Sequence, residues 1–233
     1  MSGLVEVSDL HIRYGAYEAV KGVSFSLGKG EVLGIVGESG SGKSTIAKAI
    51  MGLQKTSSGK IEIAPDTGIQ MIFQDAVGSL NPRMTVRQTL EEVLRVKRKE
   101  RSAESLLSLV GLSKAVLEQY PREMSGGQCQ RVSITRALAC EPRVLVADEP
   151  VSALDVSVQA RVLNLLRDLC RDLGLSIILI AHDLAVVKNV CDRICVMERG
   201  RFVDEGKPES VFSSPSSEYT RRLLAAVPRI KQH

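Results

Sequence analysis

The chain has 233 residues, of which 44% are hydrophobic and 25% charged, and these ordinary globular values exclude fibrous and wholly disordered classes. A net charge of +4 with only 3% aromatic residues argues against a protein that binds nucleic acid by stacking bases. No apolar run approaches the ~20 residues of a membrane span and no secretory signal is visible, so we expect a cytosolic chain unless a partner holds it at a membrane.

The first part of the chain predicts two extended segments, followed by a strand, a loop and a helix. Residues 31–36 form a short β-branched run that stops at glycines, which is the pattern of a buried parallel strand. After Lys43, apolar residues recur at helical spacing as far as Gly52. From residue 81 to about residue 120 the spacing is that of amphipathic helices, which indicates a helical lobe inserted into an α/β core.

Strands alternate with helices in the second half of the chain. Residues 144–147 and 176–180 are apolar runs of strand length, and the segment from Val156 to Leu173 between them predicts a helix. Strands that are separated by helices favour parallel pairing. The last two short strands flank Arg199-Gly200, which indicates a hairpin turn. We therefore predict an α/β fold with a parallel sheet.

A glycine-rich segment lies between the strand at 31–36 and the helix after it. Residues 37–44, GESGSGKS, match the pattern G-x-x-x-x-G-K-[ST] in the strand–loop–helix setting that the pattern requires. Its glycines allow backbone N–H groups to surround phosphate oxygens at a helix N-terminus. We expect Lys43 to reach the β- and γ-phosphates and Ser44 to place its hydroxyl on Mg²⁺. The alternative is a flexible Gly/Ser loop, and the setting argues against it.

Two adjacent acids end the apolar strand at 144–147. Ligands bind at such strand ends in open α/β sheets. Asp148 can bind a cation through water, and Glu149, which should lie on the other face, can polarise an attacking water. Adjacent acids are also common at strand ends, so this motif gains its weight from the phosphate loop, because phosphoryl transfer needs both parts.

Further motifs resemble one known family. Ser125-Gly126-Gly127-Gln128 lies before a predicted helix and is the signature sequence of the ATP-binding cassette (ABC) ATPases. Tyr14, Gln74, the segment Ser152-Ala153-Leu154-Asp155 and His182 match other motif positions of that family, in the family's order. With the phosphate loop and the two acids, the resemblance covers nearly the whole chain.

The resemblance implies a role for each of these positions, although Tyr14, Gln74 and His182 would be unremarkable residues if taken alone. Tyr14 would stack on adenine, Gln74 would ligate Mg²⁺ and link the core to the helical lobe, and His182 would sense the γ-phosphate. The signature would hold the ATP of a partner subunit, and Asp155 would lie in the segment that signals across the dimer. The implied catalytic set is Glu149, His182 and Gln74, and the metal set is Ser44, Gln74 and Asp148. The implied nucleotide-contacting set is Tyr14, Gly37, Glu38, Ser39, Gly40, Ser41, Gly42, Lys43, Ser44, Thr45, Ser125, Gly126, Gly127, Gln128 and Asp155.

For the fold, the resemblance implies a P-loop NTPase core of the ABC ATPase type, with an N-terminal antiparallel β subdomain and an inserted helical subdomain. Residues 1–233 would form a single ABC ATPase domain. Residues 1–74 and 140–233 would make the catalytic core with its β subdomain, and residues 75–139 would make the helical subdomain that ends in the signature.

Finer motifs resemble the peptide/nickel importer branch of the family. They are Phe73-Gln74-Asp75 with residues 79–86, Tyr120-Pro121, and residues 218–228. They imply an ATPase, with ATP and Mg²⁺, that energises import of peptides, nickel or metal chelates through separate membrane permease subunits. They also imply a second ATPase subunit in a homo- or heterodimer, an indirect role for a solute-binding protein, no direct contact with nucleic acid, and a peripheral position on the cytoplasmic face of the inner or plasma membrane.

Two other functions compete with transport. One is an accessory ATPase of a cytosolic enzyme complex such as that of phosphonate degradation, whose cassettes resemble this branch. The other is a DNA-repair ABC ATPase, which is less favoured because too few positions separate Gln74 from Ser125 for its characteristic insertions. A nucleotide-binding module without hydrolysis is disfavoured because both Asp148 and Glu149 are present.

Overall fold

The computed structural model describes residues 3–98 and 100–226, which form two compact units. The first unit contains the chain up to Pro65 and from Ser176 onward, and the second contains Asp66–Leu175. Residues 227 and 228, the end of the segment that resembles the importer branch, lie outside the described residues. Among the helices of the described ranges, none is long and apolar enough to cross a membrane.

The secondary structure contains nine strands and eight α-helices within the described residues. The strands are β1 (Val5–Tyr14), β2 (Tyr17–Leu27), β3 (Val32–Val36), β4 (Ser58–Ile63), β5 (Ile69–Ile72), β6 (Val144–Asp148), β7 (Ser176–Ala181), β8 (Arg193–Glu198) and β9 (Arg201–Gly206). The helices are α1 (Lys43–Ile50), α2 (Val86–Lys97), α3 (Ala103–Leu109), α4 (Gly126–Leu138), α5 (Val156–Leu173), α6 (Leu184–Val187), α7 (Pro208–Ser213) and α8 (Glu218–Ala226).

Three strands of the first unit form an antiparallel sheet in the order β2-β1-β4. Buried and exposed side chains largely alternate along β1, where Val5 and Val7 are buried, as expected for a sheet that packs on one face. A tight turn joins β1 to β2 and pairs Tyr14 with Tyr17. Gly15 supplies the positive φ of 58° in that turn. This sheet is the N-terminal antiparallel element that the resemblance predicts.

The other four strands of the first unit lie in the order β7-β3-β8-β9. β3 pairs in parallel with both β7 and β8, whereas β9 returns antiparallel to β8 through the hairpin predicted at Arg199-Gly200. Every residue of β3 and β7 is buried, which explains why their sequences are apolar throughout instead of alternating. Parallel pairing brings the carboxyl ends of β3 and β7 to the same edge of the sheet.

The second unit combines a parallel pair of strands, β5 and β6, with the helices α2 to α5. Leu94, Leu106 and Ala139 form a buried cluster where α2 and α3 meet the end of α4. Helix α5 has the bounds predicted from its apolar spacing, and it ends at Gly174 with a φ of 65°, a common way to terminate a helix. The helices expected after residue 81 are therefore present.

Candidate nucleotide site

The phosphate loop, residues 37–44, connects β3 to α1 in the first unit. Two of its glycines are required by the geometry. A Cβ on Gly37 would lie 2.1 Å from the carbonyl oxygen of Met197, and Gly42 has a φ of 112°, which L side chains rarely adopt. Helix α1 begins directly after Gly42, so the N–H groups at its N-terminus lie at the loop. This arrangement favours the binding of an anion such as phosphate.

Lys43 is the first residue of α1 and only 3% of it is exposed. Its Nζ donates to the carbonyl oxygen of Gly37 at 2.7 Å and to that of Glu38 at 2.8 Å. The ammonium group is therefore held against the first two peptide carbonyls of the loop. A buried positive charge beside a helix N-terminus attracts phosphate strongly, because little water screens it.

A buried hydroxyl in the same loop supports the presence of a ligand there. Ser41 is 6% exposed, and its Oγ has no hydrogen-bond partner in the described part of the chain. Leaving a buried polar group unpaired costs about 1–3 kcal/mol. The loop therefore fits a phosphate-bearing ligand that would complete its hydrogen bonding. Ser44 and Thr45 follow in the first turn of α1 and are half-buried.

A cavity of about 410 Å³ in the first unit adjoins the phosphate loop. Its lining residues are Tyr17, Lys21, Glu38, Ser39, Gly40, Ser41, Glu198, Arg199, Tyr219 and Arg222. Tyr14, which we expect to stack on adenine, is half exposed at the end of β1 and does not line this cavity. The tyrosine that does line the cavity is Tyr17, which pairs with Tyr14 across the hairpin. Sequence reasoning missed Tyr17. The stacking role of Tyr14 stays a prediction.

His182 lies at the same edge of the sheet as the phosphate loop. It directly follows β7, and the parallel register places Ala181 opposite Val36, the last residue before Gly37. The imidazole is exposed. The first unit thus brings together the strand ends that carry His182 and the phosphate loop, as expected from their positions after two parallel strands.

The acidic motif lies at the corresponding edge of the strand pair in the second unit. Asp148 is the last residue of β6 and is buried, whereas Glu149 leaves the strand with a φ of 46°, an uncommon conformation for a non-glycine residue. Gln74 follows β5, and its Nε2 donates to Oε2 of Glu149 at 3.2 Å and to Oγ of Ser152 at 3.3 Å. The structure therefore brings together Gln74 and Glu149.

The signature residues form the start of α4, as predicted. Ser125 is the N-cap, and its Oγ accepts from the N–H of Gln128 while the side chain of Gln128 accepts from the N–H of Ser125. Gly127 is tightly packed, because a Cβ there would lie 2.6 Å from Cγ1 of Val158. A cavity of about 350 Å³ is lined by the four signature residues and by Asp155, the N-cap of α5. The second unit therefore brings the signature and Asp155 to one site.

Two arginines also line this second cavity, and sequence reasoning assigned neither to the site. Arg131 donates from its guanidinium to the carbonyl oxygens of Gly127 and Gly111, and Arg161 projects from α5. Burial, and secondly the positive charge of Arg161, lower the pKa of Arg131 below its ordinary value. Both groups carry positive charge at neutral pH, so the cavity suits a negatively charged ligand. The sequence did contain a signal for Arg131, because a residue one helical turn after Gly127 lies on the same face of the helix as the signature.

Comparison with known proteins places the chain in a family. The model of the ABC transporter family matches residues 20–152. The oligopeptide transport ATP-binding protein OppF of Salmonella typhimurium is 44% identical, over 97% of this chain and 78% of that protein. The chain belongs to the ABC transporter family. AmiF of Streptococcus pneumoniae, an oligopeptide transport ATP-binding protein, is 45% identical over 97% of this chain and 82% of its own length.

Solved ABC cassettes share the fold. The structure of cbiO1 from Clostridium perfringens, part of the ABC transporter complex cbiONQ, has a TM-score of 0.80 and 28% identity, and the match covers 99% of this chain and 98% of that one. The ATP-binding cassette MJ0796, solved as a dimer in a post-hydrolysis state with ADP and Pi, has a TM-score of 0.76 and 28% identity, over 88% and 98% of the two chains. The predicted fold class, an ABC ATPase cassette with an N-terminal antiparallel sheet, is confirmed.

As an ABC cassette, the chain binds ATP and hydrolyses it in a transporter, and the predicted enzyme class is confirmed. The order of the motifs along the chain agrees with that assignment. The roles of single residues remain predictions.

Proposed function

We propose that this ABC ATPase energises the import of peptides through separate membrane permease subunits. The observation that carries the proposal is identity of 42–47% with oligopeptide transport ATP-binding proteins of several bacteria, over 91% or more of the chain. None of these names mentions nickel or a metal chelate, so peptides are the favoured cargo. Transport of nickel or of a chelate would be an alternative outcome of a transport assay.

The nucleotide would be held first by the phosphate loop. The ammonium of Lys43, buried against the carbonyls of Gly37 and Glu38, would neutralise charge on the β- and γ-phosphates. The N–H groups of residues 39–45 and the unpaired Oγ of Ser41 would donate to phosphate oxygens. Tyr14, half exposed at the end of β1, would offer its ring to adenine.

We assign the metal set of the resemblance, Ser44, Gln74 and Asp148, to Mg²⁺. A hydroxyl, an amide and a carboxylate are oxygen donors of the kind that Mg²⁺ prefers, and Asp148 is a buried carboxylate at a strand end. Mg²⁺ would neutralise charge that develops on the transferring phosphoryl group.

Glu149 and His182 would act on the attacking water. The carboxylate of Glu149 would accept a proton from the water whose oxygen bonds to the γ-phosphorus, while the bond from phosphorus to the ADP oxygen breaks. Glu149 is half-buried and hydrogen-bonded by Gln74, so its carboxylate is already oriented. His182 would donate or accept a hydrogen bond at the γ-phosphate.

A second cassette would complete the site, in a homo- or heterodimer. The Oγ of Ser125 and the N–H groups at the start of α4 form an anion-binding helix N-terminus, and Asp155, Arg131 and Arg161 line the same cavity. The signature of one chain would contact the γ-phosphate bound by the other chain. The dimer reported for the cassette MJ0796 supports this arrangement.

The segment after Gln74 is the proposed docking surface for the permease. Phe73 and Val77 are large apolar residues that are 41% and 49% exposed, and residues 74–77 line a cavity of about 480 Å³ in the second unit. An apolar groove suits one face of an amphipathic helix. The chain would then lie at the periphery of the cytoplasmic face of the membrane, with a solute-binding protein acting only through the permease.

The test is transport in proteoliposomes that contain the permease chains that co-purify with this protein. We expect ATP-dependent uptake of labelled oligopeptide, which Lys43→Ala abolishes and the matched control Lys48→Ala, on the exposed face of α1, leaves intact. Lys43→Ala should also weaken ATP binding about 100-fold or more, because two charge-assisted interactions with phosphate are lost. Uptake of Ni²⁺ without peptide would overturn the assignment of peptides as the cargo. ATP hydrolysis without any permease partner would favour the cytosolic accessory role.

A further inference from the structure

The C-terminal helix α8 reaches the phosphate loop through one tyrosine. Tyr219, 5% exposed, accepts a hydrogen bond at its Oη from the N–H of Glu38 at a distance of 2.9 Å, although 181 positions separate the two residues. Burial raises the pKa of the Tyr219 phenol, so the group stays neutral at physiological pH. The contact lies entirely within the first unit. Tyr219 belongs to the segment 218–228 and Glu38 to the phosphate loop, but neither sequence motif predicts that the two residues touch.

The position of Tyr219 is fixed by the anchoring of α8 on β9. The buried carboxylate of Asp204 accepts from the N–H groups of Ser216 and Ser217 at 3.0 Å and 2.9 Å, directly before α8 begins. Thr220 is fully buried and donates its N–H to Oγ of Ser217. The first turn of α8 therefore has little freedom, and Tyr219 is held by the helix as well as by its own packing.

The peptide group that joins Gly37 to Glu38 is bound at both of its ends. Tyr219 accepts from its N–H, and Lys43 donates to its C=O, which belongs to Gly37, at 2.7 Å. Because a peptide group is planar, fixing the direction of the N–H also fixes the direction of the C=O. The hydrogen bond at the N–H also polarises the peptide and strengthens the C=O as an acceptor. The Tyr219 hydroxyl thus acts on the ammonium of Lys43 through a single rigid group.

We propose that Tyr219 is a positioning residue of the nucleotide site, whose hydroxyl orients the peptide of Gly37 and thereby the ammonium of Lys43. The proposal rests on the proposed role of Lys43 in binding the phosphates of ATP. It gives the C-terminal helix a function in nucleotide affinity, and it requires no contact between Tyr219 and the nucleotide itself.

The test compares Tyr219→Phe, which removes only the hydroxyl, with Tyr120→Phe in the second unit as a matched control. For Tyr219→Phe we expect the Kd and KM for ATP to rise about fivefold, because one neutral hydrogen bond is lost. The kcat at saturating ATP should stay within about twofold of wild type. Tyr120→Phe should change none of these constants. ATP affinity equal to wild type in Tyr219→Phe would overturn the proposal.

A third variant separates positioning from simple anchoring of the helix. Thr220→Val removes the hydroxyl that lies 2.8 Å from Oγ of Ser217, which weakens the first turn of α8 and keeps the tyrosine hydroxyl. Its thermal unfolding midpoint should fall while its ATP affinity remains near wild type. If Thr220→Val and Tyr219→Phe weaken ATP binding equally, Tyr219 only holds the helix and the positioning role is wrong. Lys43→Ala tells the two proposals apart: if it binds ATP normally, the assignment of the loop fails, whatever Tyr219→Phe shows.

Discussion

Gln74 donates a hydrogen bond from its Nε2 to Oε2 of Glu149 across 3.2 Å, although 75 positions separate the two residues in the sequence. The parallel pairing of β5 with β6 creates this contact, because Ile72 lies opposite Ala147 and both strands end at the same edge. The amide that is proposed to ligate Mg²⁺ therefore also holds the carboxylate that is proposed as the base. A movement of Gln74 would change both functions together.

Replacing Gln74 tests which of these functions dominates. We expect Gln74→Ala to lower the ATPase rate about tenfold, the lower end of the loss typical for a residue that supports a metal site. Gln54→Ala, a replacement in the loop after α1, is the control and should leave the rate unchanged. A faster rate in Gln74→Ala would mean that the hydrogen bond restrains Glu149, and the metal role would then be wrong.

Glu149→Gln should separate nucleotide binding from hydrolysis. The amide keeps the shape of the side chain but cannot accept the proton of the attacking water, so hydrolysis should fall about 100-fold or more. ATP affinity should persist, and the variant should accumulate as an ATP-bound dimer, measured by light scattering on size-exclusion chromatography. Glu209→Gln, an exposed residue in α7, is the control. A wild-type rate in Glu149→Gln would show that another group is the base.

Ser125→Asp separates the capping role of this residue from its proposed contact with ATP. Aspartate is as good an N-cap as serine, so α4 and the thermal unfolding midpoint should be preserved. Its negative charge would repel the γ-phosphate. Hydrolysis should fall about 100-fold, because one oriented hydrogen-bond donor, the serine hydroxyl, is lost and repulsion is added. Ser102→Asp, the same change at the N-cap of α3, is the control.

A mixed dimer shows where the effect of Ser125 occurs. When one chain carries Ser125→Asp and the other carries Lys43→Ala, the two defects affect the same composite site if the signature serves the partner's ATP. The second composite site then stays intact, and about half of the wild-type ATPase activity should remain if the two sites hydrolyse ATP independently. Complete loss of activity would place Ser125 at its own chain's phosphate loop and contradict the composite site.

The sequence predicts those parts of the structure that depend on local patterns. The glycine pattern of residues 37–44, the N-cap at Ser125 and the bounds of α5 follow from backbone geometry and apolar spacing, which act over a few residues. The burial of β3 and β7 in a parallel sheet follows from their uninterrupted apolar composition, although that composition does not identify which strands are neighbours. These local rules place most of the candidate residues on strand ends and helix starts.

Contacts between distant parts of the chain could not be predicted in the same way. Tyr219 binds the N–H of Glu38 only because α8 folds back over the first unit, and no periodicity in either segment encodes that approach. Likewise Tyr17, and not its cross-strand partner Tyr14, lines the cavity beside the phosphate loop, and this depends on how the hairpin packs beside that loop. Both features are tertiary, and a single sequence without the fold leaves them open.

Gly37→Ala should destabilise the first unit. The added Cβ would lie 2.1 Å from a backbone oxygen, that of Met197, which cannot move as a side-chain end could. Overpacking of this kind costs about 1–3 kcal/mol in the free energy of unfolding, measured by urea denaturation. Gly68→Ala, where the nearest atom would be 3.5 Å away, is the control and should change stability little. Equal stability of the two variants would contradict the close packing at Gly37.

The carboxylate that anchors α8 should make the stability of the protein depend on acid pH. Burial alone raises the pKa of Asp204, but hydrogen bonds from Thr220, Ser217 and Ser216 outweigh it and hold the pKa below its ordinary 3.8. Because the folded state binds this proton less readily than the unfolded state, the contribution of Asp204 is present above pH 3.8 and is lost as pH falls below it. Asp204→Asn removes the charge and should remove this dependence.

The measurement is the difference in the free energy of unfolding between wild type and Asp204→Asn, from urea titrations at several pH values. We expect a constant difference above about pH 5, which shrinks as the pH falls through 3.8 toward the lower pKa of the folded state. Asp66→Asn, at an exposed position with a φ of 57° that asparagine tolerates, is the control. A difference that grows toward acid pH would mean that Asp204 is protonated in the folded protein, and the hydrogen bonds to Ser216 and Ser217 would then not hold an ionised carboxylate.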